Sequence, residues 1–122
     1  MKMTIKEQLN ELKDLAPFIK NLEEELAQGY PIYDFFADNL AEWEEQTLDS
    51  IKQLKAKRQA VIDLINRLDS PLHREILLVR YRDGIKWKDL PQSLNLPDTD
   101  IRRLHKQAIE ELDRVERDLK KG

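Results

Sequence analysis

Residues Arg80 to Ile109 read RYRDGIKWKDLPQSLNLPDTDIRRLHKQAI. Leu90 and Leu94 are four apart and share one helix face. Ile101 and Leu104 are three apart and share a face of the next helix. Leu96 falls between them and can plug the angle where two short-coupled helices meet. Asn95 tolerates the left-handed conformation that a tight turn needs better than most residues do. Pro97 and Asp98 then open a new helix. The spacing predicts a helix-turn-helix, with Arg102, Arg103 and Lys106 off the buried face of its second helix. In a DNA-binding helix-turn-helix that second helix enters the major groove.

The rest of the chain reads as helix on either side of this unit. Upstream, Ser70 and Pro71 are an N-cap and a first-turn proline after a break at Asp69. The helix they start is expected to bury Leu72, Ile76, Leu77 and Tyr81 and to stop at Asp83-Gly84. A short helix from Trp87 to Leu94 follows, with Trp87 in the core or wedged at its start. The last helix should run from Asp98 to about Lys120, with Ala108, Ile109, Leu112, Val115 and Leu119 continuing the apolar stripe.

Further upstream, Thr4 and Glu7 form a capping box that starts a helix at Ile5. Leu9, Leu12, Ala16, Ile19, Leu22 and Leu26 give it one stripe. Pro17 kinks or restarts it, and Gly29 is a stop signal. Residues 30–39 crowd Tyr30, Tyr33, Phe35 and Phe36 beside Pro31, either as a loop closing a helical hairpin or as an exposed aromatic patch. Asn39 and Glu42 start a helix of roughly 40 Å to Leu68. Thr47, Ile51, Leu54, Arg58, Val61, Ile65 and Leu68 alternate steps of four and three, which is a coiled-coil seam. Arg58 lays its stem along that seam or pairs with a carboxylate among Glu23 to Glu25. The seam's partner is either the first helix or a second copy of the chain. The expected fold is all-α, a long N-terminal helical hairpin or coiled coil (1–69) followed by the helix-turn-helix module (70–122).

Composition narrows the chemistry. The 122 residues contain no cysteine and two histidines, so thiolate metal sites are excluded and no transition-metal cluster is indicated. No apolar run reaches the roughly 20 residues that cross a bilayer, and MKMTIKEQL has no signal core. A cytoplasmic protein without a membrane partner is expected. Residues 1–69 carry 9 basic and 14 acidic side chains, a net of −5, and residues 70–122 carry 12 and 10, a net of +2. No basic residue lies between Lys20 and Lys52. Nucleic acid is therefore repelled by the middle of the chain and tolerated by the C-terminal part.

An enzyme is not expected. Glu24, Glu25, Glu42, Glu45 and Asp49 bear some likeness to the magnesium-holding carboxylates of all-α nucleotide pyrophosphohydrolases. There, however, a third carboxylate follows one turn after the first two, and here that place is Gln28. The later Glu–Asp pair should be three apart, and Glu45 to Asp49 is four. No glycine-rich phosphate loop or nucleophile triad is present, and no cofactor is implied.

The stretch LDSPLHREILLVRYRDGIKWKDLPQSLNLPDTDIRRLHKQAIEEL, residues 68–112, resembles region 4 of bacterial sigma factors, the module that reads the promoter −35 element. The leading helix ending in RYRDG, the WxxL start, the turn and the IxxLxxxAI ending match in kind. A helical segment fused to such a module is similar to small phage and prophage transcription regulators, the ArpU- and RinA-like activators and their uncharacterised relatives. The resemblance implies DNA and RNA polymerase as partners, and the seam of the N-terminal helices, where a second copy closes it, gives a homodimer. On the positions of this chain the DNA-contacting set is Arg102, Arg103, Lys106, Thr99, His105, Lys86 and Lys88. Two departures stand out. Pro91 occupies a place the family gives to a small residue, so the first motif helix starts late or kinks. Asp98 and Asp100 put carboxylates at the front of the recognition helix, where they stabilise its N-terminus and repel phosphate. They favour the alternative of a protein-interaction module, with the helix-turn-helix as scaffold and the acidic hairpin docking a basic partner.

Overall fold

A computed structural model describes residues 3–28 and 40–121. Gly29, the aromatic stretch 30–39 and the Asn39 start signal lie outside the described residues. Among those described the chain is all-α, with no strand. The helices are α1 (Ile5–Gln28), α2 (Leu40–Ile65), α3 (Pro71–Leu77), α4 (Leu90–Leu94) and α5 (Asp98–Lys121).

The start of α1 is the capping box the sequence specifies. The Glu7 amide donates to Thr4 Oγ1 at 3.1 Å, and the Thr4 amide donates to Glu7 Oε1 at 3.2 Å. Pro17 neither ends nor restarts the helix, which is continuous across it. The face α1 buries is Ile5, Leu9, Leu12, Leu15 and Ile19. Its partner is α2 of the same chain. Leu15 and Ile19 cluster with Ile51, flanked by Leu22, Leu26 and Leu54. Ile5, Leu9 and Leu12 meet Val61, Ile62 and Ile65 at the other end. The two helices thus run in opposite directions, and the predicted seam is closed by the first helix. Thr47, Ile51, Val61, Ile65 and Leu68 are buried along it. Arg58 is half-buried, and the Glu23 carboxylate is taken by Lys55 at 3.2 Å. Lys57 pairs with Glu11 across the same two helices.

At the junction with α3, the Ser70 hydroxyl accepts from the His73 amide at 3.4 Å, and Pro71 occupies the first turn. Arg74 Nη1 donates to the Leu68 and Asp69 carbonyls at 2.5 and 3.3 Å, which ties the chain reversal to α3. Ile76, Leu77 and Tyr81 are buried as expected, but Leu72 is 48% exposed. It lies in the first turn of α3, before the helix reaches the core. From Leu78 to Arg82 the helix widens into a π turn, in which the Asp83 amide bonds the Leu78 carbonyl five residues back at 3.0 Å. Gly84 ends it at φ 73°, a left-handed conformation that suits glycine.

The expected single helix from Trp87 to Leu94 is two pieces. Trp87–Asp89 is one 3₁₀ turn, and the α-helical part begins only at Leu90. Pro91 explains the late start. In the first turn its missing N–H costs no intrahelical bond, whereas deeper in the helix it would. Asn95 closes α4 at φ 55°, ψ 45°, and its amide and that of Leu96 both donate to the Pro91 carbonyl. Leu90, Ile101, Leu104, Ala108 and Leu112 are buried, with Leu94 and Leu96 packed on them. The same cluster includes Ile5, Leu9, Leu12, Val61, Ile62, Ile65 and Leu68. One core therefore runs across the junction between residues 69 and 70. None of the helices described is long and apolar enough to cross a membrane.

Candidate nucleic-acid interface

The helix-turn-helix fixes which side chains of α5 point away from the core. Ile101, Leu104 and Ala108 face inward, so Asp98, Thr99, Arg102, Arg103 and Lys106 are left on the solvent side, all exposed. The predicted cations are thus together on one outward face. They are not free of their neighbours. Arg102 Nε lies 3.0 Å from Asp98 Oδ2, one turn back, and Arg103 Nη2 lies 3.6 Å from Asp100 Oδ1. Both pairs are exposed, with the arginine side chains 79% and 63% open to solvent, so each is worth little and can be exchanged for a better partner. Among the described residues Lys106 has no ion pair. Residues 98–107 hold three cations against two carboxylates, so this face is only weakly positive.

His105 does not stand with them. Its ring is turned inward, with Nε2 2.7 Å from the Tyr81 hydroxyl. The Trp87 indole meets it edge-on, with centroids 4.5 Å apart at 82°. Burial, then the nearby charges of Lys6 and Arg80, lower its pKa to about 4. The His105 ring thus faces Tyr81 and Trp87 and not the outward face that carries Arg102, Arg103 and Lys106. The Tyr81 phenol is pushed above its ordinary value by burial, with Arg80 opposing.

Arg80 completes this cluster. Its guanidinium lies 5.1 Å from the Trp87 ring centroid and 5.6 Å from that of Tyr81, and Nη1 donates to the Ile85 carbonyl at 3.0 Å. Arg82 is paired with Asp83 at 2.8 Å. Lys86 and Lys88 flank Trp87 and are exposed. Trp87 itself is 40% exposed and so is not a core residue. The sequence held a signal for His105. It lies four residues after Ile101, on the edge of the stripe that Leu104 and Ala108 continue. The π turn that brings Tyr81 onto it had no such signal. His73 lies between α3 and α5: Nε2 is 3.3 Å from Gln107 Oε1, and Nδ1 is 3.5 Å from Glu111 Oε2.

No protein-family model matches the chain, and neither a curated protein nor a solved structure is detectably similar to it.

Proposed function

We propose that this protein is a DNA-binding transcription regulator of the small phage type, acting through α4, the Asn95 turn and α5. The observation that carries the reading is the outward face of α5. A two-helix unit with a three-residue turn buries Leu90, Ile101 and Leu104 and leaves Arg102, Arg103 and Lys106 exposed on the second helix. Arginines there can neutralise phosphate or take guanine bidentately. Thr99 adds a neutral hydroxyl to the same face, and Lys86 and Lys88 add cations for the backbone. The resemblance to sigma region 4 supports the reading and adds RNA polymerase as a partner.

The Asp98 and Asp100 pairs shape the expected affinity. Each must be broken or shared before an arginine meets phosphate, so duplex binding by the isolated protein is weak. Useful affinity then comes from a polymerase partner or from dimerisation. The test is a titration at several salt concentrations against duplex containing the promoter region of the protein's own gene. Changing Arg102 and Arg103 together to Ala should flatten the salt dependence by roughly 1.8 in slope, two phosphate equivalents. Asp98→Asn with Asp100→Asn should tighten binding to any sequence. An unchanged affinity and slope in the double arginine variant would remove the named surface.

The same ion pairs favour a second reading, in which the helix-turn-helix is a scaffold and the acidic hairpin docks a basic protein. In that case the Asp98 and Asp100 variants leave duplex affinity where it was.

A further inference from the structure

We propose that the surface around Trp87 binds single-stranded nucleic acid, the exposed part of the indole stacking on an unpaired base while Lys86, Lys88 and Lys6 neutralise flanking phosphates. This surface shares Lys86 and Lys88 with the duplex-binding reading but does not use Arg102 or Arg103.

Four observations support this. Trp87 keeps 40% of its surface open although every neighbouring apolar side chain with which it shares the helix start, Ile85 and Leu90 included, is more buried. Second, the ring is already held. Arg80 sits 5.1 Å from its centroid and the His105 ring 4.5 Å away. An indole fixed before a ligand arrives loses little rotamer freedom on stacking.

Third, the cations around it come from separate elements. Lys86 and Lys88 flank the ring in sequence. Lys6 on α1 lies near enough for its charge to act on the His105 ring that packs against Trp87. These three lysines are exposed and hold no ion pair among the described residues. Fourth, acidic opposition is thin. Asp89 is the one carboxylate in residues 84–97, and Asp83 is occupied by Arg82. No carboxylate figures among the causes that set the His105 pKa.

The combination of a backbone-neutralising basic patch with an aromatic platform is what single strands need. Duplex DNA satisfies only the first half of it, because its bases are stacked on one another and their faces are closed. The partner is therefore a strand with accessible bases.

The experiment uses the full chain carrying Trp43→Phe, which leaves Trp87 as its one indole. Its fluorescence is titrated with an oligothymidylate of about twelve nucleotides, a length within reach of one such site. Parallel titrations use a duplex of equal length and inorganic polyphosphate. Saturable quenching by the oligothymidylate, and weaker or no quenching by the other two, is expected. With labelled oligothymidylate, Trp87→Ala should weaken binding at least about fivefold by anisotropy. Trp87→Leu, which keeps apolar bulk but has no aromatic face, should do the same if Trp87→Ala loses its helical circular dichroism. Lys86→Gln with Lys88→Gln should lower the salt slope by roughly 1.4. Arg102→Ala with Arg103→Ala should leave the quenching intact, whatever it does to duplex binding. Absence of quenching, equal quenching by polyphosphate, parent affinity in Trp87→Leu, or loss of quenching in the arginine variant would each overturn the proposal.

Discussion

At the scale of single residues, His105 carries the clearest consequence. Its folded pKa is lowered from 6.5 to about 4, so between those values the unfolded chain binds a proton that the folded chain refuses. Stability contributed by the neutral ring is complete above about pH 6.5 and is lost as the pH falls toward 4, by on the order of 2–3 kcal/mol in total once solvent screening of the half-buried ring is allowed for. Carboxylates titrate mostly below pH 5, so the interval from 6.5 to 5 separates histidine from carboxylate titration, and a His105 variant separates His105 from His73. His105→Gln should flatten the decline of denaturation midpoint with pH across that interval. Equal slopes in parent and variant would mean that the ring is as easily protonated folded as unfolded. Asn95 is the second such residue. At φ 55°, Asn95→Ala should cost about 1 kcal/mol or more, whereas Asn95→Gly should match or exceed the parent. Urea midpoints of the two variants decide it. The left-handed turn was legible because asparagine announces it. The inward turn of His105 was half-legible, its helical register pointing one way and its polar ring the other.

Among elements, legibility followed local chemistry. The capping box at Thr4 and the Ser70–Pro71 start were readable because each is made by neighbouring residues in sequence, and both are present as hydrogen bonds. The seam of α2 was readable in period but not in partner, because period says which face is buried and nothing about what covers it. Boundaries were harder where backbone hydrogen bonding changes type. The π turn at Leu78–Arg82 and the 3₁₀ turn at Trp87–Asp89 replace stretches that the sequence marked as plain helix. Leu72 shows the same limit in one residue. Its position fits a stripe, but in the first turn of α3 it lies 48% exposed, while Ile65 is fully buried and Ile51 is 6% exposed. Ile51→Ala and Ile65→Ala should therefore each cost about 2–5 kcal/mol, and Leu72→Ala less than about 1 kcal/mol. Thermal melts of the three variants check the ranking, and a Leu72→Ala loss as large as that of Ile65→Ala would show that Leu72 is as buried as the stripe implies.

For the whole molecule, charge and packing divide the chain differently. Charge changes sign near residue 70, from −5 before it to +2 after it. Packing does not follow: Ile5, Leu9 and Leu12 of α1 and Val61, Ile62, Ile65 and Leu68 of the α2 end belong to the same core as Ile76, Leu90, Ile101 and Leu112. The helix-turn-helix therefore shares one core with the hairpin, and a chain of this size with a shared core is expected to unfold in one step. The chain carries a reporter on each side, Trp43 in α2 and Trp87 beside α4. In single-tryptophan variants, Trp43→Phe and Trp87→Phe, unfolding followed by fluorescence should give coincident urea midpoints once each variant's own stability, read from circular dichroism, is taken into account. If the Trp87 signal is lost at lower urea than the helical signal of the same variant, the helix-turn-helix opens before the hairpin. The core across residues 69 and 70 would then be too weak to couple them. Coincidence would mean that any partner stabilising the hairpin also stabilises the face of α5, because a ligand that binds only the folded state shifts the whole cooperative unit.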